Sequence, residues 1–160
     1  MNNYKYAGFW FRVIATIIDY IIAIIFVCIV AAITGIILGF SMSVTSSSLE
    51  EIKITSNLLG FIVGILVPWL YFTLSESSAW QATLGKKMLG MKVIDMDGNR
   101  ISFGKANIRY WSKIISAIIF YIGFIMVAFT ERKQGLHDKI AGTLVTKDGL
   151  SLRSPSTVQV

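Results

Sequence analysis

The longest apolar run of the chain carries two ionisable residues at its head and then no further charge as far as residue 40. Arg12 and Asp19 lie in the stretch FWFRVIATIIDY, and the run continues uncharged over residues 20–40. About 20 apolar residues are needed for a helix to cross the hydrocarbon core of a bilayer. The run therefore predicts a membrane-spanning helix over about residues 10–40.

Arg12 and Asp19 need an explanation in such a helix. At their spacing they lie about two turns and roughly 10 Å apart along nearly the same face, too far to bridge to each other. A charged residue inside a membrane segment costs about 2.5 to 3.5 kcal/mol and usually faces a protein interior, a wet cavity or a partner. Both residues are therefore candidates for pairing or for function.

The composition favours a membrane protein. The chain is 54% hydrophobic and 15% charged, with a mean hydropathy of +0.67, whereas about a quarter of the residues of a soluble domain are charged. Lys and Arg outnumber Asp and Glu by 15 to 9, which we attribute to basic loops that set topology and contact anionic lipid headgroups, not to nucleic acid. We expect one membrane domain over residues 1–147 and a flexible tail over residues 148–160.

Two further apolar segments follow. The second, over residues 57–75, is long enough to span. The third, over about residues 108–130, has an uncharged core only over residues 114–130 and begins with cations mixed among aromatic residues (RYWSK, residues 109–113). Such a mixture is typical of a helix in the headgroup layer, so this segment is predicted to be re-entrant, interfacial or crossing. A secretory signal peptide is the alternative for the first segment, but its apolar region would be shorter.

The distribution of basic residues predicts the orientation. Two lie at the amino end, one in the first loop, seven between the second and third segments and five in the tail. The first loop, which contains the Ser/Thr-rich residues 41–48, should then be external and the amino terminus cytoplasmic. A full third crossing would place the basic tail outside, which favours a third segment that dips in and returns or lies in the interface.

A small sheet is predicted between the second and third segments. Residues 92–103 contain two short strand-like runs around Asp97 and Gly98, a strong signal for a hairpin. A lone hairpin is marginal in water, so residues 142–147 are a candidate third strand. The predicted fold class is an α-helical integral membrane protein with a small cytoplasmic β-hairpin or three-stranded sheet.

Several ordered blocks resemble the RDD family of small bacterial integral membrane proteins. These are Arg12 and Asp19, the block TLGKKMLGMKV at residues 83–93, Asp97 with Gly98, Arg109, and RKQGLHDKIAGT at residues 132–143. The resemblance covers about residues 7–147. It implies that the Arg and the two Asp of the family name map onto Arg12, Asp19 and Asp138.

The resemblance and the charges together suggest roles for individual residues. Asp138 lies in a segment expected on the same side as Arg12, so the two could form a structural ion pair. A buried carboxylate could exchange a proton for a cation, which makes Asp19, with Glu76, the candidate for ion or proton coupling. Contact with lipid headgroups is expected for four further cations, Lys86, Lys87, Lys92 and Arg109.

Two functions remain open, and neither is enzymatic. Cation/proton antiport has been proposed for some RDD proteins, and others resemble accessory proteins. We therefore expect transport of a small cation or proton with Asp19 as coupling carboxylate or, alternatively, a non-catalytic subunit that binds another membrane protein, in either case as a homo-oligomer or with a membrane partner. No HExxH, GxSxG or paired-cysteine motif is present, Trp80 stands where a P-loop needs glycine, and the single His137 cannot form a metal centre alone. No cofactor is expected.

Overall fold

Two long helices and a smaller polar portion make up the protein, as described by a computed structural model for residues 5–44, 48–118 and 122–147. The helices are α1 (Phe9–Val44), α2 (Leu49–Ser77), α3 (Leu84–Met88), α4 (Phe103–Ile118), α5 (Ile122–Phe129) and α6 (Leu136–Ala141), and the strands are β1 (Met91–Asp95) and β2 (Thr143–Lys147). Both α1 and α2 are long and apolar enough to cross a membrane. The two predicted long apolar helices are confirmed.

Both long helices extend beyond their predicted ends. The α1 helix continues to Val44, so residues 41–44 are helical and not part of a loop, and residues 45–47 lie outside the described part. The α2 helix begins at Leu49 instead of near residue 57 because Ser48 and Glu51 form a capping box. The Ser48 hydroxyl accepts from the Glu51 amide and the Glu51 carboxylate accepts from the Ser48 amide. Because of this cap, the polar first turns of α2 are helical and lie before its apolar span.

The third apolar segment is divided between α4 and α5. The α4 helix begins at Phe103, earlier than expected, and residues 119–121 between the two helices lie outside the described part. Sixteen and eight residues of helix rise about 24 and 12 Å, less than the hydrocarbon thickness of about 30 Å.

The small sheet differs from the predicted hairpin. Strand β1 pairs antiparallel with β2, in the register Val93 opposite Val145. The run after Gly98 makes only an isolated bridge, Ile94 with Arg100, because α4 begins three residues later. The other edge of β2 is covered by residues 5–7, whose backbone bonds include the Ala7 amide to the Val145 carbonyl at 2.9 Å. Residues 142–147, which were predicted as a third strand, therefore contain β2, the direct partner of β1.

The amino-terminal turns of α1 pack against the polar portion, which we call the polar base and which comprises α3, α4, α6, β1 and β2. Its apolar core contains Ala7 and Ala15 from the start of the chain together with side chains of the sheet, of α4 and of the residue run before α4, namely Met91, Val93, Ile101, Ala106 and Val145. Beyond the polar base, most apolar side chains of α1 and α2 point outward. Only 6% of the most apolar stretch of α1 and 11% of that of α2 is buried within the protein.

Candidate functional site

Asp138 forms buried ion pairs with two arginines. Its Oδ2 lies 2.5 Å from Arg12 Nη1, and its Oδ1 accepts from Arg109 Nε at 2.9 Å. The same carboxylate accepts from the Gly135 amide at 3.1 Å, because Asp138 lies in the first turn of α6, where backbone amides are unsatisfied. Arg12 also donates to the carbonyls of Ala7 and Lys133. The Asp138 side chain thereby joins the start of α1 to α6.

Arg109 continues the chain of charges to the end of α2. Its Nη1 donates to Glu76 Oε2 at 2.5 Å, and the other oxygen of Glu76 accepts from Lys86 Nζ. The planar guanidinium bonds the two carboxylates through different nitrogens in a fixed geometry, which a lysine with its single nitrogen cannot reproduce. We refer to Arg12, Asp138, Arg109, Glu76 and Lys86 as the charge network. It connects α1, α6, α4, α2 and α3 in that order.

Asp19 has a separate and fully hydrogen-bonded environment. Its Oδ1 accepts from the Tyr71 hydroxyl at 2.8 Å and from the Gly85 amide at 2.7 Å, while its Oδ2 accepts from the Thr83 hydroxyl at 2.5 Å. The side chain is 0% exposed. Donors from α2 and from the start of α3 therefore converge on one carboxylate of α1. Three hydrogen bonds to a carboxylate are strong because the acceptor is charged.

Within the charge network, the surroundings shift the pKa values of Asp138 and Lys86 in ways that decide their charge states. Burial alone would raise the pKa of Asp138, but the positive charges of Arg109 and Arg12 outweigh it and hold that pKa well below its usual value. For Lys86, burial is the largest effect and lowers the pKa, although Glu76 opposes this. Asp138 is consequently ionised at neutral pH, as its two arginine partners require.

His137 packs beside the charge network without being part of it. Its Nε2 lies 3.4 Å from Asp138 Oδ1, and its ring is 5.1 Å from that of Phe124. Within the described residues its Nδ1 has no hydrogen-bond partner. Burial lowers the pKa of His137 to about 3, although the Asp138 charge opposes this. The imidazole is therefore neutral in the folded protein near neutral pH.

We expect acidification to destabilise the protein through His137 between about pH 6.5 and about pH 3. Because the folded-state pKa lies below the ordinary value of 6.5, the unfolded state binds the extra proton in this interval, and the free energy of unfolding falls as the pH falls. Unfolding of purified protein followed by tryptophan fluorescence measures this slope. It should be shallower in His137→Gln, and equal slopes would contradict a neutral buried imidazole.

The structure brings some of the predicted site residues together and separates others. Arg12 and Asp138 are brought together. Glu76 does not join Asp19, because both of its oxygens are occupied by the cations of the charge network. The predicted lipid contact is wrong for Lys86 and Arg109, which are 6% and 2% exposed, since their charges are paired inside the protein. For two other cations it stays a prediction: Lys87, exposed and stacked over Trp80 at 3.6 Å, and Lys92, exposed on β1.

Sequence reasoning missed the residues that surround Asp19. Thr83 directly precedes α3, a position where a threonine usually caps its own helix. Its hydroxyl makes no such cap and donates to Asp19. The sequence signal for Gly85 was weaker, a glycine inside a short basic helix. Among the described residues, no group of three or more His, Cys, Asp or Glu side chains could hold a metal ion.

Two long apolar helices joined to a polar base by buried ion pairs define a small membrane protein. The model of the RDD family matches residues 6–142, and the chain belongs to that family. The predicted family is thus confirmed. The uncharacterized protein YxaI of Bacillus subtilis (strain 168) is 40% identical over 147 residues, covering 88% of this chain and 97% of the relative.

Other relatives from the same bacterium align over most of the chain. The uncharacterized protein YckC is 31% identical over 156 residues, covering 91% of this chain and 87% of the relative. The uncharacterized membrane protein YteJ is 28% identical over 160 residues, covering 92% and 85%. No solved structure matches the chain. The family of this chain, its hydropathy and the name of its relative YteJ all indicate a membrane protein.

Proposed function

We propose that this RDD protein is a non-catalytic membrane protein that binds and supports another membrane protein. The observation that carries the proposal is the closed environment of Asp19. A coupling carboxylate has to exchange ligands during transport, whereas both oxygens of Asp19 are occupied by donors from the protein. This environment favours a carboxylate that holds α1, α2 and α3 together.

The depth of Asp19 also supports a structural role. Residues 20–44 of α1 rise about 37 Å, which is by itself enough for a hydrocarbon core of about 30 Å. Asp19 directly precedes this stretch and accepts a hydrogen bond from Tyr71 of α2. The carboxylate is then expected at the edge of the hydrocarbon layer, where the polar base begins.

The exposed surfaces of α1 and α2 support a role carried out with a partner. A transport pathway needs a shielded interior, and two helices that bury so little of their apolar stretches enclose none. The charge network adds rigidity, because it fixes the polar base against both helices at one end. The result is a rigid polar base carried on two helices whose other faces are free for lipid or for another membrane protein.

The proposal is tested by ion flux and by crosslinking. Purified protein in proteoliposomes should give no cation-driven proton movement above that of empty liposomes. In cells, a crosslinker placed in turn at outward positions of α1 such as Ile21, Ile25 and Ile29, which are all exposed, should capture one membrane protein from a single helix face. Cation-driven flux in the wild type that is lost in an assembled Asp19→Asn variant would overturn the proposal.

Transport by an oligomer is the second candidate. A carboxylate that is 0% exposed and bonded to the hydroxyls of Tyr71 and Thr83 has neighbours that could pass a proton. A second copy would have to close the pathway. The flux measurement separates the two candidates, because only this one predicts a signal that depends on Asp19.

We further propose that the third segment does not cross and that the amino terminus is cytoplasmic. Tyr6 pairs with Thr146, so the amino end and β2 lie together, and the two crossings of α1 and α2 leave them on one side. The basic residues favour the cytoplasm for that side. In a Cys28→Ser background, an impermeant thiol reagent should label Lys53→Cys in intact cells and Asp97→Cys only after permeabilisation. The reverse pattern would contradict the orientation.

A further inference from the structure

The junction of α1, α2 and α4 holds a cation that the charge network leaves unpaired. Lys113 lies one turn after Arg109 on α4, and its Nζ stands 4.6 Å from the centre of the Phe72 ring and 5.8 Å from that of Tyr110. In the part of the chain that the structure describes, no carboxylate lies within 4.0 Å of this amine. Contact with aromatic faces compensates a cation only partly.

Counting charges shows that one anion is lacking at this end of the molecule. Four cations lie in or beside the charge network (Arg12, Lys86, Arg109 and Lys113), and the carboxylates facing them are Glu76, Asp138 and, further away, Asp19. Glu76 is already shared by Arg109 and Lys86. Lys113 is therefore left without a carboxylate of its own in a half-buried position, where burial lowers its pKa to about 7 although Glu76 opposes this. An anion supplied from outside would stabilise the charged form of the amine.

Two tyrosine rings of the same junction carry hydroxyls that are also unpaired. The rings of Tyr20 and Tyr110 flank that of Phe72, each with a centroid separation of 6.0 Å. Neither hydroxyl has a hydrogen-bond partner among the described residues. An ammonium group and two phenol hydroxyls form a set of donors without an acceptor, which is suited to a phosphate group.

These groups are expected at the depth of the lipid phosphates in the membrane. Tyr20 directly follows Asp19 at the start of the apolar stretch of α1, and Phe72 directly follows Tyr71, which bonds Asp19. Tyrosine is enriched at this level of membrane proteins. On α4, the neighbouring Trp111, Ile114 and Ile115 are all exposed, as expected for a helix face in contact with lipid.

We propose that Lys113, with Tyr20 and Tyr110, binds the phosphate of an anionic membrane lipid at the α1, α2 and α4 junction. The lipid supplies the anion that the protein lacks, and its acyl chains lie along the exposed apolar faces of these helices. The inference depends on the membrane assignment and not on the accessory role. It would stand even if the flux experiment favoured transport.

The test compares dioleoylphosphatidylglycerol with dioleoylphosphatidylcholine on the purified full chain in detergent. We expect bound phosphatidylglycerol by native mass spectrometry and a raised melting temperature, with little effect of phosphatidylcholine. Affinity for phosphatidylglycerol should fall about five- to tenfold in Lys113→Gln and be retained in Lys113→Arg. The control, Lys105→Gln, changes a cation of the same helix that faces Asp95 at 3.8 Å and should bind as the wild type does.

Four results would overturn the proposal. The first is equal binding of both lipids by the wild type, and the second is unchanged binding of phosphatidylglycerol by Lys113→Gln. The third is equal stabilisation by inorganic phosphate, which would identify a site for a free anion and not for a lipid. Because Lys113→Arg keeps the charge, loss of binding there alongside normal folding would also contradict a phosphate contact.

Discussion

Replacing Arg109 by methionine is expected to lower the free energy of unfolding by about 3 to 5 kcal/mol, as for other buried ion pairs that lose one partner. The guanidinium is 2% exposed and bonds both Asp138 and Glu76. Its removal breaks two buried ion pairs at once. Asp138 keeps Arg12 and Glu76 keeps Lys86, but the connection between the two halves of the charge network is lost.

Equilibrium unfolding in mixed detergent micelles, followed by tryptophan fluorescence, measures this loss. The matched control is Lys105→Met, which removes a cation of the same helix whose side chain is 43% exposed and lies 3.8 Å from Asp95. An exposed pair of this kind contributes about 0 to 1 kcal/mol. If Arg109→Met and Lys105→Met destabilise the protein equally, the charge network does not hold the polar base to the helices.

Arg109→Lys distinguishes charge from geometry. Lysine keeps the positive charge but carries one compact ammonium group in place of a planar fork of donors. It cannot bond Asp138 through one nitrogen and Glu76 through another as Arg109 does. We therefore expect Arg109→Lys to recover only part of the lost stability. Full recovery would mean that net charge alone, and not the bridging geometry, matters at this position.

The parts of the fold that follow from local sequence could be predicted. An uncharged run such as residues 20–40 leaves a chain few alternatives to a spanning helix, and the strand-like pattern around Asp97 places β1 correctly. The helix ends were less accessible, because the start of α2 depends on one hydrogen-bonded pair, Ser48 with Glu51. The predicted second strand of the hairpin does not form because α4 begins immediately after these residues.

The candidate site was harder to predict because burial of a charge depends on partners distant in sequence. Lys86 and Lys87 are adjacent and chemically alike, yet one is buried against Glu76 and the other is exposed over Trp80. Nothing local distinguishes them. Which lysine is buried is decided by the side of α3 that meets α1, and Gly85 determines that side.

Gly85→Ala is expected to lower the free energy of unfolding by about 3 to 5 kcal/mol. A Cβ at this position would overlap the backbone oxygen of Ala15 and stand 2.9 Å from the carboxyl carbon of Asp19. Overpacking of this kind costs about 1 to 3 kcal/mol. The backbone would have to move, which would also weaken the bond from the Gly85 amide to Asp19, of a type that contributes about 1.5 to 3 kcal/mol.

Gly104→Ala is the matched control for this substitution. A Cβ there meets only the Ser102 hydroxyl, at 3.8 Å, and alanine is the better helix former by about 1 kcal/mol. We expect its stability to stay within about 1 kcal/mol of the wild type. If both glycine variants are equally stable, the close approach of α3 to α1 is not required.

The region that Gly85→Ala destabilises is as informative as the size of the destabilisation. Thr83 and Gly85 approach Asp19 together, so displacement of α3 leaves the carboxylate with Tyr71 alone and opens it to water. Backbone hydrogen exchange should therefore rise over residues 83–93 in Gly85→Ala and stay unchanged there in Gly104→Ala. Exchange that rises evenly along the chain would point to general destabilisation. A local rise would identify Gly85 as the residue that keeps Asp19 closed, and hence as the position where ligand exchange at this carboxylate could be introduced.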